Sequence, residues 1–474
     1  MKALLIACFC LSTLLPADAR PKTAPEKLIF TNVNVVNTRD GGIEQGVTVV
    51  ITKDRITGVG KVGFVAEGRN IKVINANGKY LIAGLWDMHV HSAFVSPEWD
   101  EKVIYPLYIA NGVTGVRDMG GDPDALERRR SRIENGELPG PHLVLAGPFL
   151  AGGKSDQQTI AVNTPEDARH AVDALKGRGV DFVKILSNIP RDSYFAIADE
   201  AAKQKISFAG HVPYSVSAGE AVAAGQRSIE HLTGILLACS SREEEFRAQG
   251  LRALANHDYA TYEKLGSQVM ATYDQTKAQA LFLQIARSNT WQVPTLVWTQ
   301  AGSRIDDPNL QSDPRLRYVP ASVREQWNPA KLRKNTSPEE LADRKAEAAR
   351  AVELVRAMDG AGVKFMAGTD GPDPYVFPGF SLHDELEWLV KSGFTPLQAL
   401  QAATINPALF LAKLDKYGVA ETGHTADLVL LDANPLQDIR NTRKIFGVVV
   451  GGRYYSREDV NKMLKQVEKL AGQQ

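Results

Sequence analysis

Hydrophobic and polar residues follow one another in two different patterns along this chain. Near both ends, short runs of branched apolar residues are separated by Gly, Asn and Asp, which is typical of β-strands joined by turns. Such runs lie at 28–36, 47–52 and 56–60, and again at 426–432 and 445–455. We therefore predict one small β-sandwich built from both chain termini, with two unrelated mini-domains as the alternative.

Strand-like and helix-like stretches alternate through the central part of the chain. Helical patterns are clear at 165–176 and 191–203, for example. Eight β-like runs that alternate with helices over about 330 residues predict a closed parallel (β/α)8 TIM barrel. A doubly wound open sheet is the alternative, although no Gly-x-Gly-x-x-Gly sequence follows its first strand. The eight predicted strands are 82–91, 115–119, 142–149, 181–187, 206–212, 228–232, 292–297 and 364–370.

The two patterns together predict an α/β protein with a barrel and a small second domain. Residues 20–81 and 413–474 supply the two parts of the β-sandwich, and residues 82–412 form the barrel. Two connections are unusually long, one after His231 and one after Val297. Loops that follow barrel strands lie on the face that carries chemistry, so we expect both insertions to shape substrate specificity.

The first 19 residues predict a cleavable signal peptide. Lys2 precedes an apolar run at 3–15, and the sequence Ala17-Asp18-Ala19 has the small residues of a cleavage site. The apolar run is shorter than the roughly 20 residues that span a bilayer, so we expect no membrane span. We therefore expect a secreted or periplasmic protein.

Composition narrows the range of partners and of metal sites. Lys plus Arg and Asp plus Glu number 55 each, so no global charge favours nucleic acid, and we expect a small-molecule substrate. Cys239 is the only cysteine after the signal segment, which excludes both an intramolecular disulfide and a cysteine-rich zinc site. Any metal must therefore be held by His, Asp, Glu or a modified side chain.

Polar residues with metal-binding chemistry lie at the ends of the predicted strands. His89 and His91 are two residues apart on one strand, so their side chains point to the same face and can reach one ion. Asp87 has the same parity and can orient them or line the floor. A lone His-x-His is more often a pair of ordinary core or surface histidines, so its interpretation depends on the other strand ends.

Four further residues of this kind follow the later strands. His211, His231 and Asp370 each end a predicted strand, where apolar residues usually prevail. Lys184 lies within an apolar strand, and a buried ammonium is costly without a partner. It is either a paired core lysine or a lysine carbamylated by CO₂, whose new carboxylate can bridge two metals.

In this pattern the chain resembles the imidazolonepropionase-like branch of the amidohydrolase superfamily. That family has His-x-His, Lys, His, His and Asp on strands one, four, five, six and eight, and the segments 82–91, 112–121, 367–370 and 397–408 are also similar to it. True imidazolonepropionases use one metal and lack the lysine. The chain is therefore more similar to Xaa-Arg/Xaa-Lys dipeptidases and ochratoxin-hydrolysing amidases, although the insertion at 236–287 departs from both. The matching positions are His89, His91, Lys184, His211, His231 and Asp370.

The resemblance implies two divalent metals, with Zn²⁺ preferred and Mn²⁺, Co²⁺ or Fe²⁺ as alternatives. It implies that His89, His91 and Asp370 hold one metal, that His211 and His231 hold the other, and that a carbamate on Lys184 bridges them. It further implies cleavage of an amide bond, with dipeptides as first candidates, by a metal-bridging hydroxide. Asp370 would accept the hydroxide proton and pass it to the leaving amine.

Other interpretations stay open at this point. The same site can hydrolyse a cyclic amide, a lactam or an ester, and the fold can persist in a binding protein without activity. A metal-free hydrolase is disfavoured because the chain has no Gly-x-Ser-x-Gly elbow. Arg117 either binds a substrate carboxylate or pairs with a neighbouring side chain, and Tyr214 either contacts substrate or packs. For His383 we expect helix capping or a supporting contact to the site. Whether the chain forms a homo-oligomer stays open.

Overall fold

The computed structural model describes residues 27–61, 70–92, 99–256, 258–334 and 336–473. The predicted signal peptide lies outside these residues, so it stays a prediction. No helix within the described ranges is long and apolar enough to cross a membrane. The strands are β1 Lys27–Val36, β2 Ile43–Thr52, β3 Arg55–Gly60, β4 Ile71–Asn75, β5 Tyr80–Ala83, β6 Leu85–Val90, β7 Val113–Asp118, β8 His142–Leu145, β9 Phe149–Ala151, β10 Thr159–Ala161, β11 Phe182–Ile185, β12 Ser207–Gly210, β13 Ser228–Glu230, β14 Trp291–Val293, β15 Leu428–Leu431, β16 Ile445–Val450 and β17 Arg453–Ser456.

Helices lie between most of the barrel strands and in both long insertions. Several begin at a capping side chain, as at Thr164, Ser217 and Ser337, whose hydroxyl oxygens accept from a backbone N–H of the first turn. The α-helices are Tyr105–Ala110, Pro123–Glu134, Pro165–Gly177, Arg191–Gln204, Ala218–Ala223, Ile235–Ala238, Glu243–Ala255, Tyr259–Ala271, Gln275–Arg287, Leu296–Ser303, Ala321–Gln326, Pro329–Lys334, Pro338–Gly360, Phe380–Lys391, Pro396–Ala402, Ile405–Phe410 and Arg457–Ala471. A π-helical turn spans Asp100–Ile104, and 3₁₀ turns span Pro308–Ser312, Pro314–Tyr318 and Ile439–Arg443.

The two strand-rich ends of the chain form a single sheet. Its order is β17-β16-β15-β5-β1-β2-β3, and β4 pairs with β1. The antiparallel pair of β15 with β5, from Leu428 opposite Ala83 to Leu431 opposite Tyr80, joins the two ends. Apolar side chains from both ends, including Phe30, pack together in a separate core. The ends therefore form one small domain rather than two mini-domains.

The central strands are parallel and form two sheets, β6-β7-β8 and β10-β9-β11-β12-β13-β14. Backbone hydrogen bonds join them on both sides. Asp181 N–H donates to Leu145 O at 2.8 Å between β8 and β11, and segment 365–371 forms parallel bridges with β14 and β6. All eight predicted strand positions are thus present in the barrel. The prediction of a TIM barrel with a small accessory domain is confirmed.

Several of the predicted barrel strands differ from the structure in their bounds. The first, 82–91, divides between β5, which pairs with β15 in the small-domain sheet, and β6. The seventh ends at Val293 because Pro294 has no N–H to donate and Thr295 has a left-handed backbone with φ 46°. The eighth forms isolated bridges rather than a regular strand. Gly368 lets this segment approach β6, since a Cβ there would lie 2.9 Å from His89 N and 2.5 Å from Val293 Cγ1.

The two long insertions have their own small apolar clusters. The insertion after His231 contains four helices, and Phe246, Leu265 and Val269 pack within it. The insertion that follows β14 forms short helices. Its side chains pack with the loop after Asp370 in a cluster of Leu310, Val319, Trp327, Tyr375 and Phe377.

Candidate metal centre

Three of the predicted ligands meet at Asp370, at the carboxyl ends of the barrel strands. His89 Nε2 and His91 Nε2 lie 3.2 Å and 3.1 Å from Asp370 Oδ1. His231 Nε2 lies 3.7 Å from Asp370 Oδ2. Among the described residues, His89, His231 and Asp370 each place one ligand atom within 4.8 Å of the others. His89 on β6 and His91, directly after its end, therefore reach one point, as their two-residue spacing predicts.

His211 and Lys184 lie beside this cluster on neighbouring strands. The His211 ring centroid is 5.1 Å from that of His231. Lys184, on β11, pairs in register with Ala209 of β12, two residues before His211. Its side chain is only 1% exposed and makes no ion pair within the described part of the chain. Burial lowers the pKa of Lys184 to about 8, although the Glu230 and Asp370 carboxylates oppose the shift.

Hydrogen bonds at the second ring nitrogen orient three of the histidines. His89 Nδ1 lies 2.8 Å from Glu230 Oε2, and His211 Nδ1 lies 2.7 Å from Ser187 Oγ. His231 Nδ1 lies 2.7 Å from Thr295 Oγ1. With Nδ1 engaged in this way, each ring keeps the Nε2 lone pair for a metal. His89 Nε2 is buried and makes no hydrogen bond among the described residues, so the donor set fits a divalent metal ion.

Burial also sets the charge states that metal binding requires. It lowers the pKa of His231 to about 3 and that of His211 well below its usual range, with the Lys184 ammonium adding to the shift at His211. Both rings are therefore neutral at pH 7. Burial would raise the pKa of Asp370, but the neighbouring His89 and a side-chain hydrogen bond with His91 hold it well below its usual range. The site thus combines neutral imidazoles with an ionised carboxylate.

Arg117 is buried below the candidate metal ligands and does not line a space that a substrate could occupy. Its guanidinium is fully buried and donates to Met88 O at 2.7 Å, to Ser228 Oγ at 2.9 Å and to Glu230 Oε1 at 2.8 Å. A contact with a substrate carboxylate would need an accessible donor. The prediction of such a contact is therefore wrong, and the alternative of a buried ion pair is what the structure shows.

Glu230 connects Arg117 to the first histidine. Its two carboxylate oxygens accept from Arg117 and contact His89, respectively. Burial would raise its pKa, but Arg117 and His89 hold the pKa well below its usual range. The sequence analysis missed Glu230, although a charged residue within a buried strand directly before His231 is a usable signal. Ser187 and Thr295, which contact the other histidines, give no such signal because small hydroxyl residues are common everywhere.

Two further features help to position the candidate ligands. One is a left-handed backbone at two of them, and the other is the buried carboxylate of Asp87. His231 and Asp370 have left-handed φ angles of 58° and 61°, a conformation that non-glycine residues rarely adopt. Asp87 accepts from Thr369 N at 3.0 Å and from Thr369 Oγ1 at 2.7 Å, which ties β6 to the segment that carries Asp370. Burial raises the pKa of Asp87 to about 7. Asp87 is fully buried and also accepts from His89 N at 3.3 Å, so it holds this part of β6 in place.

Comparison with known proteins gives a match to a family model over part of the chain. A model of the amidohydrolase family matches residues 318–454, which is less than a third of the chain. The matched region contains Asp370, and the other candidate ligands lie before it.

Curated relatives match this chain over short stretches. Ochratoxinase of Aspergillus niger is 38% identical over 82 residues, which cover 17% of this chain and 16% of that protein. Adenine deaminase of Thermosipho africanus is 40% identical over 158 residues, which cover 30% of this chain and 26% of that protein. The chain therefore matches less than a third of the length of either relative.

Solved structures resemble this chain over nearly its whole length. A bottromycin amidohydrolase has a TM-score of 0.75 at 22% identity, covering 95% of this chain and 92% of that one. A Xaa-Pro dipeptidase with bound methionine has a TM-score of 0.65 at 20% identity, covering 91% and 100%. At these identities the likeness shows the fold alone.

Residues of the two insertions line the cavities near the candidate metal ligands. Tyr214 lines a cavity of about 480 Å³ with Phe246 and Leu265, so its contact with substrate stays a prediction. The Trp298 ring lies 5.5 Å from that of His231 and borders a second cavity of about 600 Å³. His383 is buried elsewhere, with Nδ1 3.0 Å from Thr442 Oγ1.

Proposed function

We propose that the protein is a metal-dependent hydrolase that cleaves an amide bond, with dipeptides as the first substrates to test. The convergence of His89, His231 and Asp370 carries this proposal, because their ligand atoms share one small volume at the active face of a barrel. The amidohydrolase family domain supports the same reaction class. The relatives named above act in different ways, so the choice of a dipeptide rests on the resemblance described in the sequence analysis.

The residues present fit two divalent metals. His89, His91 and Asp370 would hold one ion, and His211 with His231 would hold the other. When bound, such ions lower the pKa of a coordinated water from about 15.7 towards roughly 7 and polarise the substrate carbonyl. Zn²⁺ suits this set of imidazole and carboxylate donors.

Lys184 would be shared between the two ions as a carbamate. Its buried side chain makes no ion pair among the described residues, which disfavours the alternative of a paired core lysine. CO₂ reacts with a neutral amine, and burial favours that neutral form. The carbamate would convert a buried cation into an anion near His211 and His231.

Asp370 is the residue that this proposal assigns to proton transfer. Its carboxylate contacts His89, His91 and His231 and is ionised at neutral pH, so it can accept a proton. It would return that proton to the leaving amine, which is a poor leaving group without it. Glu230 and Asp87 are already engaged by Arg117, His89 and Thr369, so they orient the site and do not exchange protons with substrate.

Metal content per chain tests this proposal directly. Residues 20–474 are expressed with bicarbonate, and the wild type is compared with Lys184→Ala by elemental analysis. We expect about two metals in the wild type and a clear loss in the variant. Lys203→Ala is the matched control, because Lys203 is exposed and pairs with Asp199 on the surface. One metal per chain, unaffected by the loss of Lys184, would favour a mononuclear cyclic-amide hydrolase instead.

A further inference from the structure

Asp373 is an acidic residue beside the metal cluster that the proposed mechanism does not use. It follows Asp370 by three positions, and its carboxylate Oδ2 accepts from Trp298 Nε1–H at 2.5 Å. No cation pairs with it within 4 Å among the described residues. Burial raises the pKa of Asp373 to about 6, so the carboxylate is mostly ionised at pH 7 and above. It is therefore an anion without a partner charge.

Open space lies on both sides of this carboxylate. Asp373 and Trp298 border the cavity of about 600 Å³, whose apolar wall includes Ile305 and Leu332. Asp373 also borders a cavity of about 350 Å³ lined by Trp327 and other aromatic residues. The Trp298 side chain is 38% exposed, an unusual state for an indole in a folded protein. A ligand in this space would contact the indole and the carboxylate together.

The cations that line the larger cavity already have partners. Lys331 pairs with Glu325 at 2.6 Å, and Arg344 pairs with Glu340 at 2.5 Å. Neither is needed to neutralise Asp373. A positively charged group of the substrate is the remaining partner that this pocket can take. An ammonium there would meet a carboxylate and the face of an indole, which together bind cations well.

We propose that Asp373 and Trp298 form the subsite for the free α-amino group of an aminoacyl amide. This inference rests on the proposed function, because it places the scissile carbonyl at the metal cluster. The α-amino nitrogen is joined to that carbonyl through a single carbon, so its acceptor must lie next to the metals. Trp298 satisfies this condition, since its ring contacts that of His231. A divalent metal repels an ammonium, which makes the negative charge of Asp373 necessary.

The test compares two substrates that differ only at the amino group. The metal-loaded enzyme is assayed for kcat/KM with leucyl-alanine and with N-acetyl-leucyl-alanine. In the wild type we expect a preference of about tenfold or more for the free amine, the size of one charge-assisted hydrogen bond. Asp373→Asn keeps an oxygen acceptor for Trp298 but removes the charge, so this preference should be lost.

The matched control removes a carboxylate from another part of the same cavity. Glu347 lines the cavity, is exposed and makes no ion pair among the described residues, so Glu347→Gln should leave the substrate preference unchanged. An equal loss with both substrates in Asp373→Asn would show a structural role and overturn the subsite. Equal hydrolysis of both substrates by the wild type would overturn it as well, while leaving the proposed function intact. If the wild type hydrolyses neither, both proposals fail.

Discussion

Single residues below the metal cluster are expected to control its affinity. Glu230 links the Arg117 guanidinium to His89 and keeps the ring in the tautomer that presents Nε2. A carboxylate in this position raises the basicity of a metal-bound imidazole. The hydrogen bonds from Arg117 through Glu230 to His89 are therefore expected to change metal affinity without any contact to substrate.

We expect Glu230→Gln to weaken metal binding by about 10- to 100-fold, the usual effect of losing such a supporting carboxylate. The glutamine has the same shape, so the barrel should stay folded. Competition with a chelator measures the affinity, and circular dichroism checks the fold. Glu353→Gln on the outer surface is the control, since Glu353 is exposed and pairs with Arg350 on the same helix. Unchanged affinity in Glu230→Gln would contradict the role assigned to this residue.

The sequence predicts the convergence of the candidate metal ligands better than it predicts the residues that hydrogen-bond to them. His89 and His91 share a strand face, and strand ends of a parallel barrel meet at one edge, so their convergence follows from local periodicity. The sequence left the role of Arg117 open because its partner Glu230 is 113 positions away along the chain. A pairing over that distance depends on which strands are neighbours, and no local pattern contains this information.

At the scale of single elements, the segment that carries Asp370 depends on a close backbone approach. Gly368 lies against His89 and Val293, and any Cβ would come within 2.9 Å of the His89 backbone nitrogen. Backbone atoms cannot move aside as the end of a flexible side chain can. The eighth strand position thus requires glycine for packing rather than for a positive φ angle.

We expect Gly368→Ala to lower the free energy of unfolding by about 1–3 kcal/mol, the usual cost of overpacking a core. Urea denaturation followed by fluorescence gives this value. Gly360→Ala is the matched control because a Cβ there meets nothing within 4 Å and the residue ends a helix. The control should be neutral or slightly stabilising. A variant at 368 as stable as the control would contradict the packing argument.

Element boundaries show where sequence patterns are insufficient. The prediction placed the seventh strand over 292–297, but Val297 lies in the helix Leu296–Ser303. The run of apolar residues continues across Pro294 and Thr295, so hydrophobicity alone does not reveal the break. The left-handed Thr295 changes the chain direction and brings its hydroxyl to His231. At this strand end, the backbone that brings Thr295 to His231 interrupts the regular strand pattern.

At the scale of the whole molecule, ion pairs link the barrel to the small domain, and one of them contains a histidine. His142 begins β8, and its Nε2 lies 2.9 Å from Asp427 Oδ2, next to β15. Burial lowers the pKa of His142, but the Asp427 carboxylate more than offsets this and raises it above the usual value. Stabilisation by such a histidine is present below its unfolded pKa and is lost as the pH rises through its folded pKa.

We expect His142→Gln to be less stable than the wild type near pH 6, with a difference that shrinks as the pH rises above the ordinary histidine pKa of about 6.5. Unfolding free energies measured between pH 5.5 and 9 test this. His170→Gln is the control, because His170 is exposed on a barrel helix. A difference that stays constant or grows with pH would contradict a stabilising charged pair.

The prediction that both chain ends form one domain rested only on the similar strand patterns at the two ends. Alternation and turn residues indicate strands, but they do not state which strands pair. The pairing of β15 with β5 joins residues near 430 to residues near 80, across the whole barrel. The barrel itself was predictable because its order follows the chain.

This long-range pairing has a consequence for biogenesis. β5 has β1 on one side, and the other side receives β15 only after the intervening barrel has been synthesised. Until then its N–H and C=O groups form an open sheet edge, which is a template for aggregation. Contacts of such high sequence separation also form slowly. Completion of the small domain must therefore be a late event that follows synthesis, and loss of β15 would leave a chain prone to intermolecular strand pairing.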